Sequence, residues 1–188
     1  MKSESGMSLV ELLVYSLLLG IVLALIGGLL INGLVTERTV RNSAEATTTG
    51  QLAARSVSHG VRAATALELS ALSGDPQVLR ALIVDDALSS PVASHCAAWY
   101  YGGGELRTTR AAGMIPLPTT AADVESWTLL ASGVEPAGAS PVFTLDPTTR
   151  DVEFIMQLSH GDGLNALIET TALSRQPATP PAGSVTCF

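Results

Sequence analysis

Glu11 is the residue whose setting most demands a chemical role. It stands in the stretch Gly6-Met7-Ser8-Leu9-Val10-Glu11-Leu12-Leu13-Val14, and the apolar run goes on to Val35. After Glu11 no charged residue follows until Glu37. A carboxylate at the centre of a membrane helix costs about 2.5–3.5 kcal/mol on insertion scales, and less near an end. Such a group calls for a cation beside it, and the run itself supplies none, so the partner would come from another molecule. The alternative is a carboxylate at a helix start, favoured by the helix dipole at the membrane surface. That accounts for Glu11 but not for the glycine and short hydrophilic segment before it.

Other residues of reactive type are arranged less suggestively. Ser159, His160 and Asp162 suit a hydrolase by type but crowd one predicted turn, whereas a catalytic triad is assembled in space from separate parts of a chain. Gly102-Gly103-Gly104 has neither the spacing nor the strand-to-helix context of a nucleotide loop. There is no CxxC pair, and His59, His95 and His160 are scattered. His95 beside Cys96 reads more simply as a surface histidine next to a disulfide than as a metal pair. Asp85-Asp86 and Asp162 lack calcium-ligand spacing. Trp99, Tyr100 and Tyr101 read as filling for a sheet core, with a binding patch as the alternative. The expectation is a protein that is not an enzyme, with no catalytic residues, no metal and no cofactor.

Gly6, the Met7-Ser8-Leu9-Val10-Glu11 segment and the unbroken apolar helix after it resemble the N-terminus of type IV prepilins and type II secretion pseudopilins. The resemblance covers residues 1–35. It implies a leader, residues 1–6, cut by a prepilin peptidase between Gly6 and Met7. It also implies methylation of the new Met7 amine, and Glu11 as the charge partner of a neighbouring subunit's amine. Two features depart from the pattern. Methionine replaces the commoner phenylalanine at Met7, and the usually basic leader balances Lys2 with Glu4. The implied partners are other pilin or pseudopilin subunits, the peptidase, a membrane assembly platform with its ATPase, and membrane lipid. The acidic head and Glu11-Leu12-Leu13-Val14 look like a minor pilin or minor pseudopilin. Gly20, Gly27 and Gly28 would let helices approach closely, or are simply tolerated in lipid. Gly28 lies where major pilins often carry a helix-breaking proline.

Charge is unevenly placed along the 188 residues. Residues 1–66 carry a net charge of +1, whereas residues 67–188 hold five arginines against thirteen carboxylates. An acidic head does not suit nonspecific nucleic-acid binding, which draws its affinity from phosphate neutralisation. Lys2 is the only lysine, which argues against a sortase-assembled pilus joined through lysine side chains. The apolar run exceeds the roughly 7–15 residues of a secretory signal core and has the length of a bilayer span. Lys2 on one side against Arg38 and Arg41 on the other would, counted alone, put the head in the cytoplasm. The prepilin resemblance, supported by a disulfide if the two cysteines pair, implies that it lies outside, on a single-pass cytoplasmic-membrane protein that reaches a cell-surface or secretion fibre. Cys96 and Cys187 either pair or remain thiols. Pairing would close a loop worth up to about 4–5 kcal/mol and pin the tail Gln176-Pro177-Ala178-Thr179-Pro180-Pro181.

The elements follow from the pattern. Residues 7–35 form a membrane or assembly helix. Residues 36–66 continue it without proline, with Ala53, Val57, Val61 and Ala64 at helical spacing and Glu37 and Arg41 set for an i,i+4 ion pair. Residues 67–188 form a β-rich head. Strands are expected at Val78–Val84, Cys96–Tyr101, Glu105–Ala111, Ser126–Ala131, Asp151–Ser159 and Leu164–Leu173, with hairpin turns at Gly102–Gly104 and His160–Gly163. The fold class is α+β, a long N-terminal helix on a small antiparallel sheet. The function expected is a structural fibre subunit of a type IV pilus or type II secretion-like system. The rivals are a membrane-anchored binding or adhesion protein that does not polymerise, and a membrane-tethered enzyme.

Overall fold

The computed structural model describes residues 9–70, 75–159 and 165–188. The chain divides into two compact units, one up to Arg41 and one from Asn42 onward. One helix, α1 (Leu9–Ala63), contributes to both. In the first unit the stretch from Leu9 to Val35 is mostly leucine, valine, isoleucine and glycine on every side, and nearly all of it is exposed. The hydroxyl of Ser16 donates to the carbonyl of Leu13 (2.9 Å), so this polar group is satisfied within the helix. The Glu37–Arg41 ion pair is made at 2.8 Å. Both side chains are well exposed, so it adds at most a few tenths of a kcal/mol.

In the second unit α1 is amphipathic. Ala46, Gly50, Ala53, Val57, Gly60 and Val61 are buried along one face, at the three- and four-residue spacings of a helix. Arg62 in the last turn suits the negative end of the helix dipole. The helix then stops at Ala63, three residues short of the expected end. Residues 64–70 instead form an edge strand, because pairing with the next strand outweighs the helical preference of Ala64 and Ala66.

Among the described residues nine strands make two antiparallel sheets, where one small sheet was expected. The first is a meander of β1 (Ala64–Ser70), β2 (Gln77–Asp86), β3 (Ala93–Gly102), β4 (Glu105–Ala111) and β5 (Thr128–Ser132). Gly103 and Gly104, both at positive φ, make the two-residue turn between β3 and β4, which suits the twist of a hairpin. Gly133 passes the chain to the second sheet, where a Cβ would meet the Ser159 carbonyl oxygen at 2.6 Å. That sheet contains β6 (Val134–Glu135), β7 (Phe143–Asp146), β8 (Asp151–Leu158) and β9 (Ala166–Leu173). β8 pairs along its full length with β9, and near its two ends with β7 and β6. The expected His160–Gly163 turn lies outside the described residues.

The main core forms where α1 meets both sheets. It contains Ala53, Val57 and Val61 with Leu79, Trp99 and Leu106 of the first sheet and Phe143, Phe154 and Met156 of the second. Gln77, fully buried, joins the sheets. Its amide nitrogen donates to the Phe143 carbonyl (3.1 Å), and its carbonyl oxygen accepts from the Phe143 N–H (3.0 Å). The side chain thus substitutes for a missing strand neighbour and pairs both backbone polar groups of Phe143. The other face of the first sheet is covered separately. Val78, Leu82, Tyr100 and Cys96 pack there with Ile115, Val124 and Cys187.

Candidate assembly helix and its head

Glu11 lies in the first described turns of α1 and is exposed, flanked by exposed Val10, Leu12 and Leu13. No described side chain pairs with it. Gly6 and Met7, the expected cleavage and methylation positions, lie outside the described residues. A Cβ built on Gly20, Gly27, Gly28 or Gly33 would meet nothing within 4 Å, so no contact within the chain requires these glycines. The helix is long and apolar enough to cross a membrane. Its exposed leucines and isoleucines need lipid or another helix, because water would leave them unburied.

The head glycines behave differently. A Cβ on Gly60 would lie 2.0 Å from Trp99 Cη2 at the edge of the indole, and one on Gly50 would lie 2.6 Å from Ile168 Cγ1. Trp99 is held over the helix by a hydrogen bond from its Nε1 to Ser56 Oγ (3.1 Å). Gly50 and Gly60 were not singled out in the sequence. Their signal is their place in the same spacing as Ala53, Val57 and Val61.

Cys96 and Cys187 form a disulfide, with Cα atoms 5.5 Å apart and a sequence separation of 91. The tail is held further by the Val185 N–H donating to Ser94 Oγ (3.0 Å). Arg80 is buried beneath it. Its guanidinium pairs with Glu68, donates to the Ile115 carbonyl (3.1 Å) and lies 5.5 Å from the Phe188 ring centroid. Its Nε has no partner. A buried arginine in an otherwise apolar layer has no pattern signal in the sequence.

Among the described residues the reactive types do not converge. Ser159 donates its backbone N–H to the Gly133 carbonyl (3.1 Å) as part of the passage between sheets, and His160 and Asp162 lie outside the described residues. His95 Nδ1 sits 2.7 Å from an Asp85 carboxylate oxygen. Asp86 accepts from the Leu88 N–H (2.8 Å) in a turn. Among the described residues no group of three or more His, Cys, Asp or Glu could hold a metal ion. Trp99, Tyr100 and Tyr101 are buried. Burial, then Asp75, raises both tyrosine pKa values above the ordinary phenol value, and Glu105 and Glu135 add to Tyr100 and Tyr101 respectively. Arg107 partly opposes the rise at Tyr100.

A long apolar N-terminal helix on antiparallel sheet is a pilin-like architecture. Comparison with protein-family models, with curated proteins and with solved structures finds no match for the chain.

Proposed function

We propose that this chain is a structural subunit of a fibre, a minor pilin or minor pseudopilin of a type IV pilus or type II secretion-like system. Its chemistry is assembly, not catalysis. The observation that carries the reading is α1 itself. One helix contains a membrane-length stretch, exposed and apolar on every side, with a single carboxylate near its start, and it ends in the segment on which the head folds. An anchor alone needs the apolar stretch, and the helix dipole would account for Glu11 there, but an anchor has no need for Gly6 and the short hydrophilic segment before it.

In the proposed mechanism the chain inserts through residues 7–35 with its head outside the cytoplasm. The Cys96–Cys187 disulfide supports that side, since such bonds persist in oxidising compartments. A prepilin peptidase cuts after Gly6 and methylates Met7. The freed cation of one subunit then meets Glu11 of a neighbour, and each charge lowers the cost of holding the other in an apolar setting. A membrane platform and its ATPase move the subunit into the fibre. Gly20, Gly27 and Gly28 let helices pack closely there.

The test is N-terminal mass spectrometry of the mature protein, together with recovery of subunits from sheared or cross-linked fibres. Wild type is expected to begin at Met7, and Gly6→Ala to retain its leader. Glu11→Gln and Glu11→Ala are expected to be cut normally but to incorporate poorly. A mature chain that begins at Met1 removes the reading in favour of a membrane-anchored binding protein. Normal incorporation of both Glu11 variants removes the charge pairing.

A further inference from the structure

A groove of about 890 Å³ runs between α1 and β9. Its floor includes Ala54 and Ile168, and its rim is basic. Arg55, His59 and Arg62 line it from α1, at successive spacings of four and three that place them on one helix face. Arg175 lines it from the segment after β9. That segment is held in place by backbone: the Arg175 N–H donates to the Arg62 carbonyl (3.2 Å), and the Gln176 carbonyl accepts from Arg150 Nη2 (2.8 Å).

Among the described residues the three arginines of this rim have no counter-ion. Arg80 and Arg107 of the same head pair with Glu68 and Glu105. Among the described residues, the side chains of Arg55, His59, Arg62 and Arg175 make no ion pair or hydrogen bond. Among the described residues Glu169 is the one carboxylate that lines the groove. A cluster of unpaired guanidinium groups on a head that is otherwise strongly acidic is a local reversal of sign, and it selects an anionic partner.

The strand on the other wall is independent evidence. β9 pairs with β8 on one side and, among the described residues, with no strand on the other. Among the described residues its outward N–H and C=O groups have no strand partner, and Leu167 is 57% exposed. A free strand edge is a template for an added strand.

We propose that this groove receives an extended, acidic segment of a partner protein, which adds to β9 as a further strand and sets its carboxylates against Arg55, Arg62 and Arg175. Backbone hydrogen bonding supplies affinity in such strand addition, and side chains at alternate positions supply selectivity. A second copy of the same groove is the wrong occupant, because antiparallel β9-to-β9 pairing would bring two arginine clusters together. A nucleic acid could use the arginines but has no peptide groups to pair with the strand edge. The proposal is independent of whether the chain polymerises.

The experiment uses the full chain in zwitterionic detergent micelles, with fluorescence anisotropy as the readout. The probe is a labelled peptide of alternating Glu and Val, about six residues long to match a common strand length. The controls are its Lys-Val counterpart, the Glu-Val peptide N-methylated at alternate residues, and a single-stranded oligonucleotide. The Glu-Val peptide is expected to bind and to weaken with added salt. N-methylation should lower its affinity about tenfold, as should the double variant Arg55→Glu/Arg62→Glu or the single variant Arg175→Glu. All three variant positions are exposed, and circular dichroism checks that the head stays folded. The methylated-peptide arm requires no variant. Absence of Glu-Val binding overturns the proposal, as does equal binding of the Lys-Val peptide or indifference to N-methylation. An oligonucleotide that outcompetes the peptide at these arginines also overturns it, in favour of a nucleic-acid site.

Discussion

At the scale of single residues, the closest packing in the head depends on a missing side chain. Trp99 occupies the volume that a Cβ on Gly60 would take, and its Nε1 is tied to Ser56 one turn earlier on α1. Gly60→Ala therefore cannot be accommodated by a small rotamer change, because the clash is with a rigid indole. Overpacking of this kind costs about 1–3 kcal/mol, more than the helix-propensity gain of about 1 kcal/mol for Gly to Ala. Gly60→Ala is expected to lower the denaturant midpoint and to alter Trp99 fluorescence. Gly50→Ala meets the aliphatic Ile168 side chain at 2.6 Å, less closely than Gly60 meets the indole, so its loss should be smaller. Equal or greater stability for Gly60→Ala would show that the indole has room to move.

At the scale of elements, the tail is a cover for the outer face of the first sheet. It brings Cys187 to Cys96 on β3 and places the Phe188 ring beside buried Arg80. Much of this depends on the covalent link, since the tail segment Gln176–Pro181 is exposed or half-buried and largely lacks regular structure. In the chain-entropy description, closing a loop of this length stabilises the fold by up to about 4–5 kcal/mol. Cys187→Ser, or reduction of wild type, is expected to lower stability in urea by up to that amount. The reduced tail should also become more sensitive to protease than β2 or β3. A loss below about 1 kcal/mol would mean that the noncovalent contacts hold the tail by themselves.

At the scale of the whole molecule, titration bounds the pH range of the fold. Asp146 is held below its ordinary pKa by the backbone N–H groups of Thr148 and Thr149, and Asp123 by those of Thr120 and Thr119. A depressed carboxylate contributes stability that is present above its unfolded value, about 4, and is lost as pH falls through its folded value. Tyr100 and Tyr101 act at the other limit. Their phenols hold the proton more tightly in the folded state, chiefly because of burial. That contribution is full below the unfolded value, about 10, and is lost as pH rises through the folded value. Stability against urea is thus expected to be flat with respect to these groups between those limits. Asp146→Asn should remove part of the acid-side slope, and Tyr101→Phe part of the alkaline slope. Unchanged slopes in both variants would locate the sensitivity elsewhere.

How far the sequence determined the protein differs from element to element. The apolar run, its lone Glu11 and the absence of proline were enough for a long helix, because helix formation is a local matter of spacing and chain composition. β3, β4 and β8 were also legible, with hydrophobic runs bounded by turn residues and glycines at Gly103 and Gly104 where the chain needs positive φ. β1 was not, since its alanines favour a helix and only pairing with β2 makes them a strand. β6 and β7 are too short to show a period and exist because β8 lies beside them. The division into two sheets, the Gln77 bridge and the basic groove were decided by tertiary structure alone. Arg55, His59 and Arg62 share a helix face by spacing, but Arg175 and the free edge of β9 are distant in the chain. Proximity of that kind depends on how the head closes, and no local pattern encodes it.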